Sequence, residues 1–483
     1  MNIGKSHNFY VKVYSRHSGV TGSCFLNSIH WPDGKELNFM VDCGAAQGKD
    51  NDGFYNSIFP FDAEKIDFAI LTHAHLDHYG LFPAACRQGF IGPIFTHYAN
   101  NTILNIGMWD TCQIKDKYTD DCIASKEEVE ATLDKIVGCT LKKVIKPHKN
   151  VRVVFYSNGH IIGAVITLIV ISYPGEEDIT LIYTGDYKDQ NAFFNVEIPP
   201  EKTRNLNISA IFIESTYGNV DSTDSGFKKC VEKNLAQALK DGKTVIAPAF
   251  ALGRTQEVLY DIKRWKNKGS IPENTKIYLD GRTAQEYTYS FIYNELGIKK
   301  IMKNFLPNGV TFIPQVRTRN QYRQNLMERN EPKIIVATGG MASYGPVQNY
   351  INYYLSKEDA LIHLLGYCSP ETQGYKLLTS SHGEKIMYNG KEHIHLCDVA
   401  RTAEYSGHAP RNKLLNFLNL FPYKKSIVIN HGEEEVKKVF REYVLENTDL
   451  PEEMIAITSP EYALRIESKG IVDRERTNFE SIL

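Results

Sequence analysis

Between about residue 218 and residue 366 the chain alternates strand-like and helix-like segments, while both flanks are built mainly of short strands and turns. This switch of rhythm limits the folds open to it. In the middle, helical patterns at 224–241, 254–268 and 283–296 alternate with apolar strand patterns at 244–249, 276–279, 333–337 and 363–366. Strand-then-helix repetition predicts an α/β domain with a parallel sheet. Ahead of it, β-rich runs at 9–14, 23–29, 37–41 and 67–71 are separated by glycine-containing turns and predict hairpins within a sheet. The stretch 100–138 changes character, and Ser125-Lys-Glu-Glu reads as a helix start with a serine cap and carboxylates in the first turn. Strands resume at 151–155, 165–172, 179–184 and 210–214; the last section predicts strands at 385–387, 392–399 and 426–429 around a helix beginning near Pro410. With no internal repeat or low-complexity linker, the middle domain reads as inserted into the first. The expected division is 1–214, 215–395 and 396–483.

Composition narrows the function classes. The 483 residues are 42% hydrophobic and 23% charged with a net charge of −2, values of a folded chain with two or three domains. The most apolar run, 164–171, is far short of the ~20 residues of a membrane helix. Residues 1–13 hold no apolar segment before a small-residue cleavage site, so no signal peptide is expected. Nine cysteines without CxxC spacing disfavour a disulfide framework or a cysteine zinc site and point to a reducing cytoplasm. Near-neutral charge gives no global pull on nucleic acid, so any polyanion must be gripped locally.

Leu-Thr-His-Ala-His-Leu-Asp-His at 71–78 leaves an apolar strand. His73 and His75 are two apart and share a face on extended backbone, with Asp77 and His78 following after the chain turns. Three imidazoles and a carboxylate in six residues can serve two metal positions.

This motif resembles the signature of the metallo-β-lactamase superfamily. The resemblance extends to Asp42 in Phe-Met-Val-Asp-Cys-Gly, His160 in Asn-Gly-His-Ile-Ile-Gly and Asp186 in Tyr-Thr-Gly-Asp-Tyr. Three later segments resemble the β-CASP nucleases within it: Phe-Ile-Glu-Ser-Thr-Tyr-Gly with Glu214, Glu-Tyr-Ser-Gly-His-Ala with His408, and Ile-Asn-His-Gly-Glu with His431. Residues 245–254 and 337–346 also look like that family's inserted domain, and the likeness runs from about Ser18 to Glu433. Two positions depart from its usual pattern: Pro410 after Gly-His-Ala, and Gly339-Gly340 before Met341.

The resemblance implies a metallo-β-lactamase αββα sandwich with an inserted α/β β-CASP domain. It implies that His73, His75 and His160 hold one metal, that Asp77, His78 and His431 hold a second, and that Asp186 bridges them. Two Zn2+ per chain are expected, with Mn2+ also suited to such nitrogen and oxygen donors. Such pairs lie about 3.5–4 Å apart and can share an activated hydroxide for in-line attack on a phosphodiester. Asp77 would orient the nucleophile, Asp42 would fix a ligand histidine by accepting its other N–H, and His408 with Glu214 would protonate the leaving oxygen.

A histidine at position 431 matches the RNA-processing members, whereas Artemis-type DNA nucleases have a small apolar residue there. Without the long C-terminal extension of the ribonuclease J group or an added N-terminal RNA-binding domain, the chain resembles the compact bacterial or archaeal form. The expected function is thus a metal-dependent cytoplasmic ribonuclease, with endonuclease and 5′-exonuclease action both open, no membrane partner, and room for a homodimer. Arg317, Arg319, Tyr322 and Arg323 interleave charge with an aromatic ring and are candidates for RNA contact, as are Lys142, Lys143, Lys146, Lys299 and Lys300. Competing readings are a DNA nuclease of the same fold, a small-molecule hydrolase, and a non-catalytic RNA-binding subunit. The complete ligand set opposes the last, and Glu214 and His408 oppose the hydrolase.

Overall fold

A computed structural model describes residues 9–16, 19–50, 56, 59–112, 124–223, 229–366 and 368–477. The chain separates into two compact units, one of Met1–Ser222 with Gly407–Leu483 and the other of Thr223–Ser406. Residues 1–8, Ser18 and residues 224–228, on which most of the segment read as holding no signal peptide, the start of the resemblance and the first turn of an expected helix fall, lie outside the described residues.

The first unit stacks two sheets. One has eight strands in the order Gly470–Arg476, Tyr462–Glu467, Tyr10–Ser15, Cys24–His30, Glu36–Cys43, Phe68–Ile70, Ile94–His97 and Ile136–Cys139. The other has seven: Ile455–Ile457, Ile427–Asn430, Ala210–Glu214, Ile179–Tyr183, Val165–Ile171, Val151–Ser157 and Val144–His148. Phe25, Phe39, Val41 and Ile70 of the first sheet share one buried core with Phe155, Ile169, Leu181, Phe212 and Val428 of the second. The other face of the seven-stranded sheet, through Leu168, Ile182, Ile211 and Ile429, packs on Leu414, Phe417, Phe440 and Val444. Those four belong to the helices Arg411–Leu418 and Glu434–Glu446. The helix Ala99–Thr111 packs on Ile94–His97 and Ile136–Cys139 of the eight-stranded sheet. Ala210–Glu214 is buried at every residue, as a strand covered on both faces must be.

Cys24–His30 is antiparallel to both its neighbours, as the hairpin pattern predicts. Phe68–Ile70 instead runs parallel to Glu36–Cys43. The intervening segment is long enough to cross over, and short apolar runs do not encode strand direction. Ser125 caps Lys126–Leu133 in a capping box with Glu128, as its sequence suggests. The strands at 94–97, 136–139, 455–457, 462–467 and 470–476 are not signalled by pattern, being short or mixed in polarity.

The second unit holds a six-stranded, all-parallel sheet in the order Val310–Phe312, Lys276–Asp280, Lys333–Thr338, Thr244–Ala249, Ala360–Leu364 and Asp398–Arg401. The helix expected at 254–268 spans Arg254–Lys268, while the one expected to reach residue 296 stops at Tyr293. The single strand expected over 392–399 is two: Lys391–Ile394 closes a hairpin with Lys385–Tyr388, and Asp398–Arg401 joins the parallel sheet. Leu396 and Cys397 break the run by donating their N–H groups to Leu355. Among the described residues no helix is long and apolar enough to cross a membrane.

Candidate metal centre

Parallel strands bring their carboxyl ends to one edge, and in the first unit that edge carries the titratable groups. Asp42 lies near the end of Glu36–Cys43, His73 follows Phe68–Ile70, and His160 follows Val151–Ser157. Asp186 follows Ile179–Tyr183, Glu214 ends Ala210–Glu214, and His431 follows Ile427–Asn430. After Ile70 the chain runs without a regular element to His75, whose backbone is extended, and then turns into the short helix Leu76–Tyr79, so His73 and His75 reach the same cluster while Asp77 and His78 ride the turn. Asp42 (φ 59°) and His431 (φ 46°) adopt left-handed backbone, a conformation non-glycine residues hold only where surroundings enforce it.

Two clusters and a third group overlapping both result. His73, His75, His160 and Asp186 form one cluster and Asp77, His78 and His431 the other, while Asp186, His408 and His431 form the overlapping group; within each, one ligand atom per residue lies within 4.8 Å of the rest. Asp186 stands between them. Its Oδ2 is 3.5 Å from His73 Nε2 and 3.4 Å from His160 Nε2, and its Oδ1 is 3.3 Å from Nε2 of both His78 and His431. Asp77 Oδ2 lies 3.6 Å from His431 Nε2.

The remaining ring nitrogens are held from behind. His78 Nδ1 is 2.8 Å from Asp42 Oδ2, and His160 Nδ1 is 2.8 Å from the Gly407 carbonyl oxygen. His73 Nδ1 is 3.2 Å from the Thr72 hydroxyl, and His431 Nδ1 is 3.1 Å from the Thr216 hydroxyl. These partners direct Nε2 of four imidazoles toward Asp186, while His75 faces His73 and His160 through Nδ1. Asp42 itself accepts from the backbone N–H and hydroxyl of Thr72, so it ties the two loops together. Asn158 accepts from the His160 N–H and donates to the Thr184 and Asp186 carbonyls, joining two more.

The electrostatics fit a cation site. Burial raises the Asp186 carboxyl, but the four surrounding imidazoles hold it well below the ordinary carboxylate range. Asp77 is likewise raised by burial and brought below its usual value by His431 and His78. Burial lowers His78, yet Asp186 and Asp42 lift it well above an ordinary histidine; His431, also lowered by burial, is pushed up to about 8 by Asp186 and Asp77. Burial, reinforced by His78, sends His73 well below. Asp186 Oδ1 is buried and faces Nε2 of both His78 and His431 at 3.3 Å, a place where a carboxylate oxygen needs positive charge beside it, from protonated rings or from a bound cation. The donor set is nitrogen and oxygen only, suited to zinc or manganese.

Beside this cluster, His408 Nδ1 is 2.9 Å and 3.0 Å from the two Glu214 oxygens, and its Nε2 lies 4.0 Å from Asp186 Oδ2. Glu214 is fully buried and also accepts from the backbone N–H groups of Tyr187 and Thr216.

The RNA-contact candidates lie apart from one another in role. Arg323 is buried and clamps Asp280 through Nε and Nη2 at 2.6 and 2.9 Å, with the Tyr350 hydroxyl donating to the same carboxylate. Tyr322 packs on the second unit's core, while Arg317 and Arg319 are exposed. Lys142 pairs with Glu197 at 2.7 Å; Lys143, Lys146 and Lys300 are exposed and Lys299 is half-buried. Thr72, Asn158 and Thr216 are the supporting residues that pattern reading misses. Each sits inside a recognisable motif, but a hydroxyl or amide next to a ligand carries no spacing signal of its own.

Comparison with known proteins matches residues 29–99 to the metallo-beta-lactamase superfamily, 255–377 to the Beta-Casp domain, and 396–456 to the "Zn-dependent metallo-hydrolase RNA specificity domain". The chain is 27% identical over 439 residues to the transcription termination factor FttA of Methanosarcina mazei, covering 86% of this chain and 66% of that one. It is 28% identical over 416 residues to the FttA of Methanococcus maripaludis, covering 82% of this chain and 64% of that one. It thus spans just under two thirds of the length of these two relatives. An RNase J-like protein of Methanocaldococcus jannaschii is 26% identical over 398 residues, 82% of this chain and 86% of that one.

Proposed function

Because the chain carries metallo-β-lactamase, Beta-Casp and Zn-dependent metallo-hydrolase RNA specificity domains, we propose that it is a metal-dependent ribonuclease that hydrolyses phosphodiester bonds in RNA processing or decay. One observation carries this reading. A single buried carboxylate, Asp186, turns one oxygen to each of two histidine clusters, with the His408–Glu214 pair beside it. His73, His75 and His160 would hold one divalent cation and Asp77, His78 and His431 a second, with Asp186 shared. When bound, such a pair offsets phosphate charge and makes water a nucleophile near neutral pH.

The chain's own groups supply the rest. Asp77 accepts a hydrogen bond from the attacking water and aims it. Glu214 accepts a hydrogen bond from His408 Nδ1–H; the imidazolium then gives its Nε2 proton to the departing ribose oxygen and is left as neutral imidazole. Asp42, Thr72, Thr216 and the Gly407 carbonyl fix the ligand tautomers, so that little reorganisation accompanies reaction. RNA as substrate is supported by the description of the model matched at 396–456 and by the name of the RNase J-like relative.

The test is digestion of matched 5′-labelled RNA and DNA strands by purified protein, before and after chelation. The expected result is RNA cleavage abolished by chelator and restored by Zn2+ or Mn2+. Equal cleavage of DNA, or RNA binding without cleavage in the metal-replete protein, would overturn the proposal. RNAs ending in triphosphate, monophosphate or hydroxyl would distinguish internal cutting from digestion at the 5′ end.

A further inference from the structure

Thr216 stands out among the groups around the cluster because it meets one histidine twice. Its hydroxyl oxygen is 3.1 Å from His431 Nδ1 and 3.3 Å from the His431 carbonyl oxygen. A hydroxyl has one proton to give. The carbonyl can only accept, so when the hydroxyl gives its proton there the oxygen is left to accept from Nδ1–H. This assignment leaves Nε2 as the lone-pair nitrogen, on the side of Asp186 Oδ1 and Asp77.

The backbone around Thr216 is fixed for this task. Ala210–Glu214 pairs in parallel with Ile427–Asn430, with Glu214 opposite Asn430. The next residues continue the match: the Ser215 N–H donates to the His431 carbonyl and the Ser215 hydroxyl to the Asn430 carbonyl. A Cβ on Gly432 would lie 2.4 Å from Ser215 Oγ, so the two segments close up only with glycine there. The Thr216 N–H donates to Glu214, whose carboxylate also holds His408. His431 needs such a clamp because its left-handed backbone gives it no regular element to lean on.

We infer that Thr216 is a positioning residue that selects the Nδ1–H tautomer of His431, and so sets the affinity of the Asp77–His78–His431 position for its cation without touching the other position. The inference rests on the metal-pair reading above. It predicts an asymmetry: losing one hydroxyl weakens one of two metal steps. Outer partners of ligand histidines typically control affinity by about 10–100-fold.

The experiment titrates chelator-stripped protein with Zn2+ by competition calorimetry and counts ions retained after dialysis, for the unsubstituted chain, Thr216→Val and Thr216→Ser. Valine keeps the shape and removes the hydroxyl; serine keeps the hydroxyl. Thr216→Val is expected to lose one ion of two on dialysis and weaken one binding step by about 10–100-fold, with Thr216→Ser close to the unsubstituted chain. Circular dichroism and the unchanged tighter step report that the valine variant is folded. Two ions held equally well by Thr216→Val, equal losses in both variants, or both steps weakened together would overturn the assignment while leaving the metal pair standing. Fewer than two ions in the unsubstituted chain would overturn the metal pair and this assignment with it.

Discussion

Gly44 follows the Asp42-Cys43 corner, and a Cβ at this position would lie 1.6 Å from the Asp77 carbonyl oxygen, 2.2 Å from its carbon and 2.8 Å from the His78 nitrogen. Gly44→Ala therefore pushes a methyl group into the backbone that carries two of the expected ligands. Carbon–oxygen contacts normally begin near about 3.3 Å, so one of the two loops must retreat by roughly 1.7 Å. A carbonyl cannot rotate away as a side chain could, and Asp77 O also accepts from the Ser23 N–H, which must be lost or dragged along. Overpacking of this kind costs about 1–3 kcal/mol, a Tm lowered by roughly 2–10 °C. The site suffers more than the fold, because displacement of about 1 Å in a catalytic arrangement costs on the order of 10²-fold in rate. Differential scanning calorimetry, metal analysis and RNA turnover on the same preparation would give all three quantities. A Gly44→Ala protein with unchanged Tm, full metal content and normal turnover would refute the claim that this close approach sets the Asp77–His78 geometry.

His408→Ala should keep its metal and lose about 10²–10⁴-fold in turnover; normal turnover would remove His408 from the reaction. Asp42→Ala removes the partner of His78 Nδ1 and should weaken metal binding by about 10–100-fold, read by chelator competition. In the metal-free protein, His431 raised to about 8 stabilises the fold fully below the unfolded value of about 6.5 and loses that contribution as pH rises through about 8. Melting of chelator-treated protein should therefore show a declining Tm from pH 6.5 to 9, and a flat profile would contradict it. Arg323→Ala strands the buried Asp280 carboxylate and should destabilise the second unit by about 3–5 kcal/mol, with metal content unchanged.

Chemistry concentrated in short spacings was legible in the linear chain. The His73-x-His75-x-Asp77-His78 run, the α/β rhythm of the middle section and the Ser125 capping box all depend on neighbours a few residues away, where backbone geometry alone sets which side chains share a face. Asp42, His160, Asp186, Glu214, His408 and His431 were reachable only through resemblance, since each is an isolated residue after a strand. Other features were set by packing between distant segments. The reversed direction of Phe68–Ile70, the split of 391–401 into two strands, and the burial of Arg323 against Asp280 required partners that no local window contains. The same is true of the ring tautomers. Which nitrogen of His431 or His160 faces Asp186 depends on Thr216 and the Gly407 carbonyl, and a hydrogen bond across more than two hundred residues is defined only once the chain has closed on itself.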